Sequence, residues 1–173
     1  MKEEMIILVD ENDIQKGVMG KMEVHKQGLL HRAFSVFIVN DKNELLLQRR
    51  ALSKYHSPGL WTNTCCSHQR EGETSIQAAK RRLKQEMGLN TSLQYLFSFI
   101  YKAKFENGLI EHEFDHVIYG KSNQNPIINL NEVESWKWVS IELILKDLEI
   151  NPKKYTVWFK IIFKRFYNFL KNK

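Results

Sequence analysis

The chain has 173 residues, of which 43% are hydrophobic and 27% charged, a globular composition that fits one domain spanning positions 1–173. It contains no run of about 18 apolar residues, which excludes a transmembrane helix, and its start lacks the apolar stretch of a signal peptide. The formal net charge of +6 suits nucleic acid, a membrane surface or a small anionic substrate, although much of the excess lies between Lys160 and Lys173, where it can simply solvate a helix.

In chain order, Met5–Val9 reads as a first strand, followed by a polar turn. Residues 33–39 (AFSVFIV) form a strong strand, and Asp41, Lys42 and Asn43 make the hairpin turn into a strand over 44–49. Ser57-Pro58-Gly59 is a turn, and 60–68 is extended. A helix starts at Thr74. Thr74-Ser75-Ile76-Gln77 has the capping-box pattern, and Gly88 stands where a C-terminal capping glycine belongs. Residues 93–104 and 111–119 are long strands joined by a turn at Asn107-Gly108, and 136–139 is a short one. Helices are expected over 141–148 and 155–170, the last with Trp158, Ile161, Ile162, Phe166 and Phe169 among its lysines. The expected class is therefore α/β (α+β), a mixed β-sheet between helices.

Cys65 and Cys66 are adjacent. In a strand they face opposite sides, so a bridge between them would be strained. With no disulfide framework, the chain suits a reducing, cytoplasmic compartment. Of six histidines, His25, His31 and His68 stand out: two precede the strong strand and the third follows Cys66 by two residues. Glu111 and Glu113 are i, i+2 carboxylates, which a strand puts on one face, with His112 turned the other way. Three imidazoles and two carboxylates suit an octahedral divalent cation better than a four-coordinate structural zinc. Spacing alone equally allows surface histidines and a solvated strand face.

The segment from Ser67 to Leu89 resembles the Nudix box, G-x5-E-x7-R-E-x2-E-E-x-G-U. Glu73, Arg81, Glu86, Gly88 and Leu89 match it. Ser67 replaces the first Gly, while Arg82 and Gln85 replace two glutamates. One helical carboxylate, Glu86, is left, with Arg82 one turn before it. That face is poorly equipped for hydrolysis. Trp61-Thr62-Asn63-Thr64-Cys65-Cys66-Ser67-His68 resembles the W-T-N-x-x-C-x-H motif of type 1 isopentenyl diphosphate isomerases. Arg49-Arg50-Ala51-Leu52-Ser53-Lys54 resembles their R-R-A-x-x-K stretch, and Glu111-His112-Glu113 their E-x-E pair. His25, His31 and Lys21 match in type and separation. The likeness runs from about Met5 to Trp158.

This resemblance implies a Nudix-type mixed β-sheet between helices and an enzyme of isoprenoid biosynthesis. The enzyme would interconvert isopentenyl and dimethylallyl diphosphate through a tertiary carbocation. It further implies that Cys66 and Glu113 are the catalytic pair and that Tyr101 relays a proton. His25, His31, His68, Glu111 and Glu113 would hold one ion, Mn²⁺, Zn²⁺ or Mg²⁺. Glu86 and the main-chain carbonyl of Cys66 would hold a substrate-bridging Mg²⁺. Lys21, Arg50, Lys54 and Arg82 would neutralise the diphosphate. Trp158 would line the hydrocarbon end, where its ring face can stabilise a cation; Trp61 reads as structural or pocket-lining.

A nucleoside-diphosphate hydrolase is the alternative reading, and a basic nucleic-acid-binding domain a third. No RNP, zinc-finger or helix-turn-helix pattern supports the last. Neither nucleic acid nor membrane is expected as a partner, and a monomer is expected, with a dimer as the alternative.

Overall fold

The computed structural model describes residues 4–171. Among the described residues, nine strands form one sheet: β1 (Met5–Val9), β2 (Gln15–Gly20), β3 (His31–Val39), β4 (Glu44–Arg50), β5 (Trp61–Thr62), β6 (Cys65–Ser67), β7 (Leu93–Lys104), β8 (Ile110–Lys121) and β9 (Val133–Ser140). The helices are α1 (Lys21–Gln27), α2 (Ser75–Met87), α3 (Ile141–Ile150) and α4 (Val157–Lys171). The expected mixed sheet between helices is what forms. Among the described residues, no helix is long and apolar enough to cross a membrane.

β3 is the centre of the sheet. One edge runs parallel to β8 along its whole length, from His31 opposite Glu113 to Val39 opposite Lys121. The other edge is shared by β1 at His31, β6 at Phe34–Val36 and β4 at Val39. Alternation sorts the side chains. Phe37, Val39, Leu45, Leu47, Val117 and Tyr119 pack toward α3 and α4. Val36, Ile38, Leu46 and Ile118 pack on the other face, under Ala78, Leu83 and Met87 of α2. Both faces are covered, so the central strands read as near-continuous apolar runs.

The α2 boundaries follow from local chemistry. Thr74 Oγ1 accepts from the Gln77 amide at 3.2 Å, and Gln77 Oε1 accepts from the Thr74 amide at 2.8 Å, the reciprocal capping box. Gly88 ends the helix at φ 66°, and a Cβ there would lie 2.6 Å from the Ile127 carbonyl oxygen, so conformation and space both demand glycine.

Three expectations need correction. The polar turn after β1 is a hairpin into β2 and then α1. β2, with the sequence QKGVMG, is a largely exposed edge strand with no apolar alternation to announce it. α1 has seven residues and no side-chain cap, too short to stand alone, and it is held by burying Val24 and His25. The extended segment 60–68 is broken into β5 and β6, and α4 starts at Val157 because Thr156 caps it, its Oγ1 accepting from the Phe159 amide at 3.3 Å.

Candidate active site

The break between β5 and β6 puts the cysteines in place. Thr64 Oγ1 donates to the Leu46 carbonyl at 2.7 Å and accepts from the Ile38 amide at 2.9 Å. Asn63 Nδ2 donates to the carbonyls of Cys65 at 2.8 Å and Val36 at 3.2 Å. These side chains substitute for ladder bonds where the chain leaves β4 for β3. Alternation then sends Cys65 into the α2 side of the core and Cys66 to the opposite face, where it lines a cleft together with His68, Glu113 and Tyr101. Both thiols are free.

Behind the cleft, three imidazoles converge. The ring centroids of His25, His31 and His68 are 4.9, 5.1 and 5.7 Å apart. His25 Nδ1 donates to the Lys21 carbonyl at 2.6 Å and His31 Nδ1 to the Leu29 carbonyl at 2.9 Å, so each presents Nε2 inward. Parallel pairing of β3 with β8 brings Glu113 beside His31. His25 Nε2 lies 3.1 Å from Glu111 Oε2, and His68 Nε2 lies 3.3 Å from Glu113 Oε1. The buried Nε2 atoms of His31 and His68 make no hydrogen bond. Ligand atoms of His25, His31, His68 and Glu111 lie within 4.8 Å of one another, and Glu113 closes the group. Orphaned imidazole nitrogens facing buried carboxylates are the donor set a divalent cation satisfies, so these residues fit the metal the resemblance implies. His112 points away, bonded to the Gly28 carbonyl at 3.0 Å.

Electrostatics divide the site. Burial pushes the Cys66 thiol up to about 12, with the charges of Glu86, Glu113 and Asp115 adding to the rise against Arg50. Burial and the charge of Glu111 raise Glu113, but the facing imidazoles of His31 and His68 bring it below its ordinary value. Burial also raises Glu111, yet the His25 and His56 bonds hold it well below. Burial lowers His68 to about 4, which keeps its imidazole neutral and able to ligate. Burial, then Glu113, raises Tyr101 well above the usual phenol, and its hydroxyl donates to Glu113 Oε2 at 2.6 Å. A thiol that keeps its proton therefore shares the cleft with a carboxylate that does not.

The basic residues gather at the mouth. Arg82 donates to Glu86 Oε1 through Nη2 at 2.5 Å and Nε at 3.0 Å, the expected i, i+4 pair. Lys54 Nζ and Arg82 Nη2 share Glu132 Oε2, the latter at 3.2 Å. Lys21 Nζ bonds Glu4 at 3.0 Å. The Arg50 guanidinium lies 5.1 Å from the ring centroid of Trp158, so one face of that indole already carries a cation. Trp61 lies away from the cleft, under Lys137 Nζ at 4.2 Å.

In and around the cleft stand residues that sequence reading missed. Gln48 Nε2 donates to Glu86 Oε2 at 2.9 Å and fixes that carboxylate. Glu132 reaches the mouth from the loop before β9. His56, in the turn after β4, lies against Glu111. Asp115, fully buried and bonded by Ser35 Oγ at 2.9 Å, continues the 111, 113 alternation and was legible from it. The other three carry no local signal, since only folding brings them together.

The NUDIX domain family model matches residues 29–159. An isopentenyl-diphosphate Delta-isomerase of Serratia proteamaculans is 51% identical over 162 residues, 94% of this chain and 90% of that protein. Isopentenyl-diphosphate Delta-isomerase 2 of Aromatoleum aromaticum is 50% identical over 156 residues, 90% of this chain and 82% of that one. In fold, the DR0079 protein of Deinococcus radiodurans superposes with a TM-score of 0.78 at 23% identity, covering 94% of this chain and 98% of its own. A MutT protein from Methanosarcina mazei gives 0.67 at 20% identity, covering 83% and 96%. The chain belongs to the Nudix family, in its isopentenyl-diphosphate Delta-isomerase branch.

Proposed function

We propose that this chain interconverts isopentenyl and dimethylallyl diphosphate by adding a proton to the terminal alkene carbon and removing one from C2. The carrying observation is that Cys66 and the Glu113–Tyr101 pair face one cleft, with a buried cluster of histidines and glutamates behind and basic residues at its mouth. Each direction needs one group that holds a proton and one that lacks it, and the Cys66 thiol and Glu113 carboxylate differ in that sense. Tyr101 gives Glu113 a partner for moving a proton. His25, His31, His68, Glu111 and Glu113 would hold Mn²⁺, Zn²⁺ or Mg²⁺. The chemistry such an ion supplies is neutralisation of the paired carboxylates and a lower proton affinity at Glu113. Glu86 and the Cys66 carbonyl would hold Mg²⁺ at the diphosphate, with Lys21, Arg50, Lys54 and Arg82 balancing the remaining charge. Trp158 walls the hydrocarbon end. The two free thiols suit work in the cytoplasm.

The test is incubation with isopentenyl diphosphate and, separately, with nucleoside diphosphate derivatives. Acid-labile dimethylallyl diphosphate is expected from the first and no cleavage from the second. Nucleotide hydrolysis without allylic product would overturn the reading. Arg82→Glu restores one helix carboxylate of the hydrolase pattern, and it is expected to lose isomerase activity without gaining useful hydrolysis. It places a negative charge beside the substrate phosphates, so kcat/KM should fall by more than about tenfold, ~1.4 kcal/mol in the barrier. Efficient nucleotide cleavage by that variant would show that the site has diverged less than its residues suggest.

A further inference from the structure

We infer that His56 is a positioning residue for Glu111, holding one carboxylate oxygen so that the other faces the imidazole cluster. The inference rests on the reading of that cluster as a cation site. The two oxygens of Glu111 are divided between neighbours. Oε2 lies 3.1 Å from His25 Nε2 and 3.8 Å from His31 Nε2. Oε1 lies 3.2 Å from His56 Nε2, on the other side. Facing a carboxylate, His56 Nε2 carries the proton and donates.

Packing fixes where the His56 ring sits. It stacks on Phe105 at 5.0 Å with 17° between planes. It meets Trp158 edge-on at 5.6 Å and Tyr55 edge-on at 4.5 Å. The turn that carries it is closed by the Gly59 amide on the Arg50 carbonyl at 3.1 Å, and Asn107 Nδ2 ties the Tyr55 carbonyl at 3.2 Å. The His56 carbonyl in turn accepts from Arg50 Nη2 at 3.1 Å. The ring is therefore a fixed donor, buried between Phe105 and Trp158, and Glu111 orients to it. A carboxylate with one oxygen tied in this way offers a single oxygen, Oε2, to a cation. Partners of this kind fix ligand geometry and raise affinity.

Two variants separate the donor from the ring. His56→Phe keeps the aromatic packing and removes the N–H; His56→Gln keeps an N–H donor and removes the ring. The readouts are Mn²⁺ affinity of the full chain, from the EPR signal of free Mn²⁺, and kcat and KM for isopentenyl diphosphate. His56→Phe is expected to hold Mn²⁺ about 10- to 100-fold more weakly, with kcat recovered at excess Mn²⁺, and His56→Gln to stay within about threefold of the wild type. Wild-type affinity in His56→Phe overturns the assignment. So does equal weakening in both variants, which would mean that the ring alone matters. In either case wild-type protein still binds Mn²⁺, and the cation reading stands. Wild-type protein that takes up none of Mn²⁺, Zn²⁺ and Mg²⁺ overturns both.

Discussion

Cys66→Ser is expected to lose kcat by roughly 10²- to 10⁴-fold while still binding substrate and metal, and Cys65→Ser to keep most of its activity. The two residues are neighbours in β6, and the strand turns them to opposite faces. Cys66 borders the cleft that holds Glu113 and Tyr101. Cys65 is fully buried among Ala78, Leu83 and other apolar side chains on the α2 side. A thiol in this position retains its proton, since burial pushes it up to about 12, yet it can give up that proton more readily than an alcohol can. Serine keeps the shape and loses that capacity, so the defect belongs in kcat and not in KM. At position 65 the hydroxyl enters a fully buried setting beside the Glu86 carboxylate, at a stability cost of about 1–2 kcal/mol. Steady-state kinetics at matched metal loading check both variants. An inactive Cys65→Ser beside an active Cys66→Ser would reverse the register of β6 against the cleft.

Removal of divalent metal is expected to abolish isomerisation, and Mg²⁺, alone or with Mn²⁺ or Zn²⁺, to restore it. Glu111 and Glu113 are 3% and 9% exposed on one face of β8, so two like charges share a buried site. The unbonded Nε2 atoms of His31 and His68 sit beside them. Such a set costs stability unless a cation satisfies it. Metal should therefore raise the thermal midpoint as well, by the equivalent of about 2.7 kcal/mol at a free concentration of 100 Kd. Dialysis against a chelator, elemental analysis and re-addition test both effects. Full turnover in a metal-stripped sample would sink the proposal. Glu86→Gln addresses the second ion: it should raise KM at least severalfold, whereas unchanged KM and kcat would remove Glu86 from the diphosphate site.

Much of this molecule was written locally in its sequence. The capping box at Thr74 and the terminal Gly88 set the ends of α2 through bonds spanning a few residues. Strict alternation put Glu111 and Glu113 on one face and divided Cys65 from Cys66. The order of the W-T-N, C-x-H and E-x-E motifs carried the family. What the sequence did not show depends on distant segments. β2 lacks apolar periodicity and α1 a side-chain cap at its start, and they hold their shape because β1, β8 and the imidazole cluster lie against them. His56 and Glu132 read as ordinary turn and loop residues. The fold alone sets His56 against Glu111, and gives Lys54 and Arg82 one shared carboxylate, Glu132. Propensity, capping and alternation act over a few positions and are legible in any chain that has them. The buried cluster of histidines and glutamates depends instead on pairing β3 with β8, some 80 positions apart, and that register was decided by the packing of the whole sheet.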